Sequence, residues 1–164
     1  KVLSLAQFSN LKELSIKGTN TITLGDLPQL QVLDISSIFP KRIDFLNGLP
    51  NLEKLCLENN CLTAIQGLDK LTNLKMLNLS ENYEINSIDG LANLKRLEYV
   101  NLYENKISDV RILNLLPNLK QVNLGGNPIE KPEVYDQLNT PQIAVFYGLP
   151  KVPFRIWKDQ DFEL

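Results

Sequence analysis

Apolar and polar positions in this chain follow a unit that restarts roughly every 22 residues. The clearest copy is Asn51-Leu52-Glu53-Lys54-Leu55-Cys56-Leu57-Glu58-Asn59-Asn60. Its apolar residues stand at Leu52, Leu55 and Leu57, and Asn60 closes the box. Beyond the Asn the apolar residues come at every third place: Leu62, Ile65, Leu68 and Leu71. The leading Leu recurs at Leu11, Leu30, Leu52, Leu74, Leu97 and Leu119, in steps of 19, 22, 22, 23 and 22 residues. The inner apolar pairs are Leu14/Ile16, Leu33/Ile35, Leu55/Leu57, Leu77/Leu79, Val100/Leu102 and Val122/Leu124. The closing residue is Asn60, Asn82, Asn105 and Asn127, but Thr19 and Ile38 in the first two boxes. A period of this length marks a stacked-repeat architecture.

Each half of the unit predicts its own element. The L-x-L portion alternates with period two, which is a short strand with one buried face. A spacing of three suits 3₁₀ turns, whose side chains eclipse at i and i+3. The chain must turn sharply between the halves. An Asn there bonds backbone groups through its side-chain amide, so a column of Asn60, Asn82, Asn105 and Asn127 forms a structural ladder. No single coil buries its apolar side alone, so the coils stack. The prediction is an α/β solenoid: a parallel sheet on the concave face, short 3₁₀ or helical segments on the convex face, and right-handed crossovers.

These boxes resemble the leucine-rich repeat family. The 22-residue period, with N-x-I/L-x-x-I/L-x-x-L after the box, looks most like the subclass of bacterial internalins and of the protein-phosphatase-1 regulatory repeat proteins. Asn105-Lys106-Ile107-Ser108-Asp109-Val110 is internalin-like in its wording. The resemblance covers about Val2–Ile129. It implies a horseshoe whose common property is partner binding, with diverse partners.

The departures from the template carry expectations of their own. Val2, Leu5, Phe8 and Leu11 match Ile65, Leu68, Leu71 and Leu74, so the chain starts in the second half of a repeat. Solenoid ends need capping. The expectation is a fragment of a longer protein, or a local cap over an open end. The first repeat is short, with a Thr-rich second half over Thr21–Leu27. The second carries Ile38-Phe39-Pro40 at the turn, where Pro40 lacks a donor and Phe39 is expected to replace the amide by packing. Local distortion of the horseshoe is expected there, and a bulged loop at Tyr83–Glu84, where the step lengthens. After Asn127 the pattern stops. Pro132–Leu138 reads as a short helix. Ile143–Tyr147 and Phe154–Trp157 read as strands around a Gly148–Pro153 turn. The arrangement is similar to the family's C-terminal caps. The domain reading is therefore a solenoid of about six strands over 1–129 and a cap over 130–164 packed on the last repeat.

Composition narrows the function. The chain is 43% hydrophobic and 22% charged, an ordinary globular balance. A net charge of −2 offers no electrostatic case for nucleic acid. No apolar run approaches the roughly 18–20 residues of a membrane span. The chain has no His, which removes Ser-His-Asp and Cys-His nucleophile systems and the usual zinc sites. No phosphate-binding loop or EF-hand pattern is present, and Gly125-Gly126 sits in a repeat box rather than in a phosphate cradle. Cys56 and Cys61 lie on different sides of a turn, so no mutual disulfide is expected. Two unpaired thiols fit a reducing compartment, with a secreted or cell-surface origin left open. The reading is a monomer without catalysis, metal or cofactor.

The x residues of each box project from the concave sheet. The middle column is Ser15, Asp34, Cys56, Asn78, Asn101 and Asn123. It is flanked by Glu13, Val32, Lys54, Met76, Tyr99 and Gln121 on one side, and by Lys17, Ser36, Glu58, Ser80, Tyr103 and Gly125 on the other. Tyr99 and Tyr103 flank Asn101, with Met76, Asn78 and Asn123 on neighbouring strands and Glu81 and Glu104 at the edge. Exposed Tyr, Met and amide side chains on a rigid sheet suit an interface centre. This patch is the candidate site for a protein or peptide partner, with a partner bearing Lys or Arg expected from its neutral-to-acidic character. The alternative is a structural spacer or regulatory arm of a larger multidomain protein, for example a bacterial surface or secreted one.

Overall fold

The computed structural model describes residues 5, 8–16, 24–40, 43–139 and 141–147. Seven strands form one sheet in chain order: β1 (Glu13–Ser15), β2 (Val32–Asp34), β3 (Lys54–Cys56), β4 (Met76–Asn78), β5 (Tyr99–Asn101), β6 (Gln121–Asn123) and β7 (Ala144–Phe146). Every pair is parallel, and the register follows the boxes: Leu33, Leu55, Leu77, Val100 and Val122 stand side by side. The six boxes give the six predicted strands. The seventh, Ala144–Phe146, pairs with β6 and extends the sheet by one more.

The spacing of three produces what it predicts. Short 3₁₀ segments occupy Asp44–Gly48, Leu68–Lys70, Asp89–Leu91 and Arg111–Leu115, and each buries one Leu: Leu46, Leu68, Leu91 and Leu113. Strand and turn residues close on one continuous core in which Leu55, Leu77, Leu79, Leu97 and Leu102 have no exposed surface. Each such Leu contributes about 1.5–3 kcal/mol on burial, and neighbouring coils provide the contacts. The first coil is less covered. Phe8 is 47% exposed and Leu11, Leu14 and Ile16 are half-buried, whereas the equivalent residues from Leu30 onward are buried.

The Asn ladder ties each coil to the one before it. Asn82 is buried; its Oδ1 accepts from the N–H groups of Asn60 and Leu62, at 3.1 and 3.0 Å. Its Nδ2 donates to the carbonyls of Leu57, Leu79 and Ser80. Asn60 serves Ile38 and Phe39 in the same way, and Asn127 serves Ile107. Asn105 differs. Its Nδ2 donates to the carbonyls of Leu79, Leu102 and Tyr103, but its Oδ1 is buried with no hydrogen-bond partner among the described residues. The cause is the extra residue at Tyr83–Glu84. The turn there bonds to itself, Ile85 N–H to the Asn82 carbonyl at 2.9 Å, and offers Asn105 no donor.

Strands β1, β2 and β3 keep unbroken parallel register through the second repeat. One expectation for its turn is corrected. Phe39 does not fill the place of the missing amide. It is 46% exposed with φ at +50°, while Ile38 is buried and Asn60 of the next coil satisfies both N–H groups. Beyond the boxes, α1 spans Lys131–Gln137 and is held to the preceding coil. Val110 N–H donates to Gln137 Oε1, and Asn114 Nδ2 donates to the Gln137 carbonyl, both at 2.8 Å. Val2, Lys17, Thr19, the start of Thr21–Leu27, the Gly148–Pro153 turn and the Phe154–Trp157 strand lie outside the described residues. Among the described residues no helix is long and apolar enough to cross a membrane.

Candidate partner-binding face

The middle column of the concave face turns back on its own backbone. The side-chain oxygens of Asp34, Asn78, Asn101 and Asn123 accept the N–H two residues on, from Ser36, Ser80, Tyr103 and Gly125, at 2.9–3.1 Å. Short polar side chains favour this local bond, and it closes the end of each strand. It also draws the amides down into the sheet. Asn78, Asn101 and Asn123 are 0%, 1% and 5% exposed, and Met76 is 5% exposed. The expected exposure of Met76 and the three amides is therefore not found. Met76 packs instead with Cys56 and Tyr99 in a small apolar cluster on the concave side.

Cys56 occupies the same column. Its Sγ lies 3.1 Å from Ser36 Oγ and 3.4 Å from Asn78 Nδ2. Burial pushes its thiol from 9.0 to about 11, against the lowering influence of its hydrogen bonds with Ser36 and Glu58. Cys61 is exposed, and both cysteines are free.

The candidate set thus divides in two. Met76, Asn78, Asn101 and Asn123 form a buried floor. Tyr99, Tyr103, Glu81 and Glu104 are half-buried and present surface. Two aromatic residues join them that the sequence reading left out. Phe146 stands beside Asn123 on β7 and is 50% exposed, and Tyr83 is 48% exposed. The signal for Phe146 was available, because Ile143–Tyr147 reads as a strand; aligning it with the boxes extends the middle column by one. Tyr83 belongs to the inserted residue, where the template gives no position.

The outer edge of this face has an unusual backbone. The residue before the turn position is left-handed in five successive repeats: Ser37, Asn59, Glu81, Glu104 and Gly126, with φ of 55°, 52°, 58°, 55° and 72°. Only the last is the residue type that takes this conformation without steric cost. At Gly125 an added Cβ would meet the Tyr147 backbone at 2.7 Å and Tyr103 Cδ2 at 3.0 Å. A Cβ on Gly126 would meet Glu104 Cδ at 2.7 Å. The glycine pair is therefore what lets Tyr103 and Glu104 lie over the next coil.

Tyr83 Oη donates to Glu81 Oε2 at 3.4 Å, and Tyr103 is hydrogen-bonded to Glu104. Both phenols are raised above their ordinary value, first by partial removal from water and then by these glutamates. They remain neutral donors at physiological pH. The opposite edge is charge-balanced: Lys75 pairs with Glu53 at 2.9 Å, and Lys120 pairs with Glu98 while its Nζ stands 5.8 Å from the centre of the Tyr99 ring. A separate open cleft of about 490 Å³ lies at the turns of the second and third repeats, lined by Phe39, Pro40, Asp44, Cys61, Ala64 and Gln66 among others. Among the described residues it brings together no acid–base pair. Among the described residues no group of three or more Cys, Asp or Glu is placed to hold a metal ion.

The family model described as leucine-rich repeats in two copies matches residues 28–70, 50–93 and 95–137, together more than half of the chain. Among solved structures, internalin C2 of Listeria monocytogenes is similar at 26% identity and a TM-score of 0.59, over 86% of this chain and 74% of that one. InlP of the same organism is 28% identical with a TM-score of 0.66, over 88% of this chain and 42% of that one. The internalin InlF shares the fold at 20% identity and a TM-score of 0.59, over 87% of this chain and 48% of that one. The chain thus spans less than half the length of the latter two. No protein with a curated description matches it. The chain belongs to the leucine-rich repeat family, in its internalin-like form.

Proposed function

We propose that this chain, a protein-interaction module by its repeats and its internalin-like neighbours, holds a protein or peptide partner on the concave face. The contact surface is Tyr99, Tyr103, Glu81 and Glu104, with Phe146 and Tyr83 added. Met76, Asn78, Asn101 and Asn123 support it from below. The observation that carries the reading is the placement of half-exposed aromatic side chains on a sheet whose floor is locked by its own hydrogen bonds. Aromatic anchors on a rigid support cost little conformational entropy on binding. No catalytic role is part of the proposal, and the module acts as a monomer. The division into a solenoid over 1–129 and a cap over 130–164 belongs to the same proposal, supported by the bonds from α1 to the last 3₁₀ segment.

The test is capture from the source organism's lysate by the native chain and by a Tyr99→Ala/Tyr103→Ala variant of equal thermal stability. A partner retained by the first and lost by the second supports the concave face. A partner retained by both places binding elsewhere, and capture by neither favours a spacer or regulatory arm.

A further inference from the structure

We infer that the partner is an extended segment rich in Lys or Arg, seated where Glu81 and Glu104 border the concave aromatics. This rests on the concave-face reading and adds the partner's chemistry to it.

The two edges of the sheet balance charge differently. Where the strands begin, Glu53 and Glu98 are neutralised by Lys75 and Lys120 of the following repeat. Where the strands end, the side-chain partners of Glu81 and Glu104 are the hydroxyls of Tyr83 and Tyr103. A phenol orients a carboxylate but leaves its charge in place. Among the described residues neither glutamate has an ion-pair partner. The nearby cation Lys106 is turned away, with its Nζ 2.8 and 2.7 Å from the two carboxylate oxygens of Glu84. Among the described residues, one edge of the face therefore carries an uncompensated negative row.

Aromatic rings stand beside that row. Tyr103 lies over Gly125, Tyr83 is exposed at the edge, and Phe146 is exposed two strands further on. A ring face attracts a cation at short range, and a carboxylate attracts it at long range. A guanidinium is planar and satisfies both at once; an ammonium satisfies them in turn. The row runs across successive strands at one edge of a parallel sheet, where an extended chain can pass from coil to coil. Apolar rings with a negative border complement a basic segment and repel an acidic one.

The backbone supplies a clean test. Glu81 and Glu104 hold a left-handed conformation that glycine adopts freely, as Gly126 does one coil later. Glu81→Gly/Glu104→Gly therefore deletes the charge while easing the backbone. Linear peptides selected from a random displayed library are expected to be enriched in Lys and Arg and to weaken with added NaCl. They are expected to bind the double-glycine variant roughly tenfold less tightly, with no fall in Tm. Glu81→Gln/Glu104→Gln, which keeps the side-chain size, is expected to weaken them similarly. Peptides without a Lys/Arg excess, basic peptides indifferent to both double variants, or a selection that yields no binder would each overturn the inference. The parent reading fails separately. Non-basic peptides lost on Tyr99→Ala/Tyr103→Ala retain the concave face and remove the charge argument. Basic peptides lost only on the glutamate variants do the reverse.

Discussion

Replacing Asn82 with Ala removes five hydrogen bonds made by one buried amide. The damaging part is on the donor side. The N–H groups of Asn60 and Leu62 lose their acceptor in a place that water does not reach, and an orphaned buried donor costs about 1–3 kcal/mol. Two of them give an expected loss of about 2–6 kcal/mol. Asn105→Ala is the internal control. It removes three bonds to carbonyls and orphans no N–H, since Asn105 Oδ1 has no partner among the described residues to lose. Its expected cost is about 1–3 kcal/mol, a loss that Asn82→Ala shares, so the two orphaned donors make Asn82→Ala worse by at least about 2 kcal/mol. For a chain of this length that is a difference of roughly 4–8 °C in Tm. Urea unfolding followed by far-ultraviolet circular dichroism, with slopes compared between variants, measures it. Equal losses, or a larger loss at Asn105, would refute the reasoning that the inserted residue disconnects one rung of the ladder.

Three further outcomes follow from the same geometry. Gly125→Ala drives a methyl group into the Tyr147 backbone at 2.7 Å, so it is expected to cost more than Gly126→Ala, whose two nearest contacts are in the flexible Glu104 side chain, with the Glu104 Cα at 3.1 Å and a positive φ. Amide exchange at Ala144–Phe146 should accelerate in the first variant and little in the second. Iodoacetamide at mildly alkaline pH is expected to modify exposed Cys61 and to spare buried Cys56 until the chain unfolds, as peptide mass mapping would read. The Cys56 thiol also makes stability depend on pH. Its pKa is raised on folding, so between 9.0 and about 11 the unfolded chain releases a proton that the native chain retains, and stability falls as pH rises. The full effect is about 2–3 kcal/mol, and a Cys56→Ala variant should show a correspondingly flatter profile over that range.

The fold was legible in the sequence because each box restates the same two periods, and period alone decides which side chains face the core. Leu33, Leu55, Leu77, Val100 and Val122 align in the sheet as the boxes align in the sequence. The Asn column was legible too, since only an amide reaches both donors and carbonyls at a sharp turn. What the template did not carry was the local chemistry of the concave face. Asn78 and Asn101 occupy outward positions by period, yet each bends onto the N–H two residues ahead and is buried. Side-chain-to-backbone bonds of this kind depend on residue type and not on alternation. Phe39 failed for a different reason. Ile38 stands where the amide would be and is itself buried, so its side chain and not that of Phe39 fills the position.

The proposed partner sits on the concave face. The most direct test places a photo-crosslinking amino acid at Tyr103 in one variant and at Leu115, 52% exposed on the last 3₁₀ segment, in another. After irradiation with the captured partner, a covalent adduct from position 103 and none from position 115 is the predicted result. An adduct from position 115 with none from 103 would contradict it.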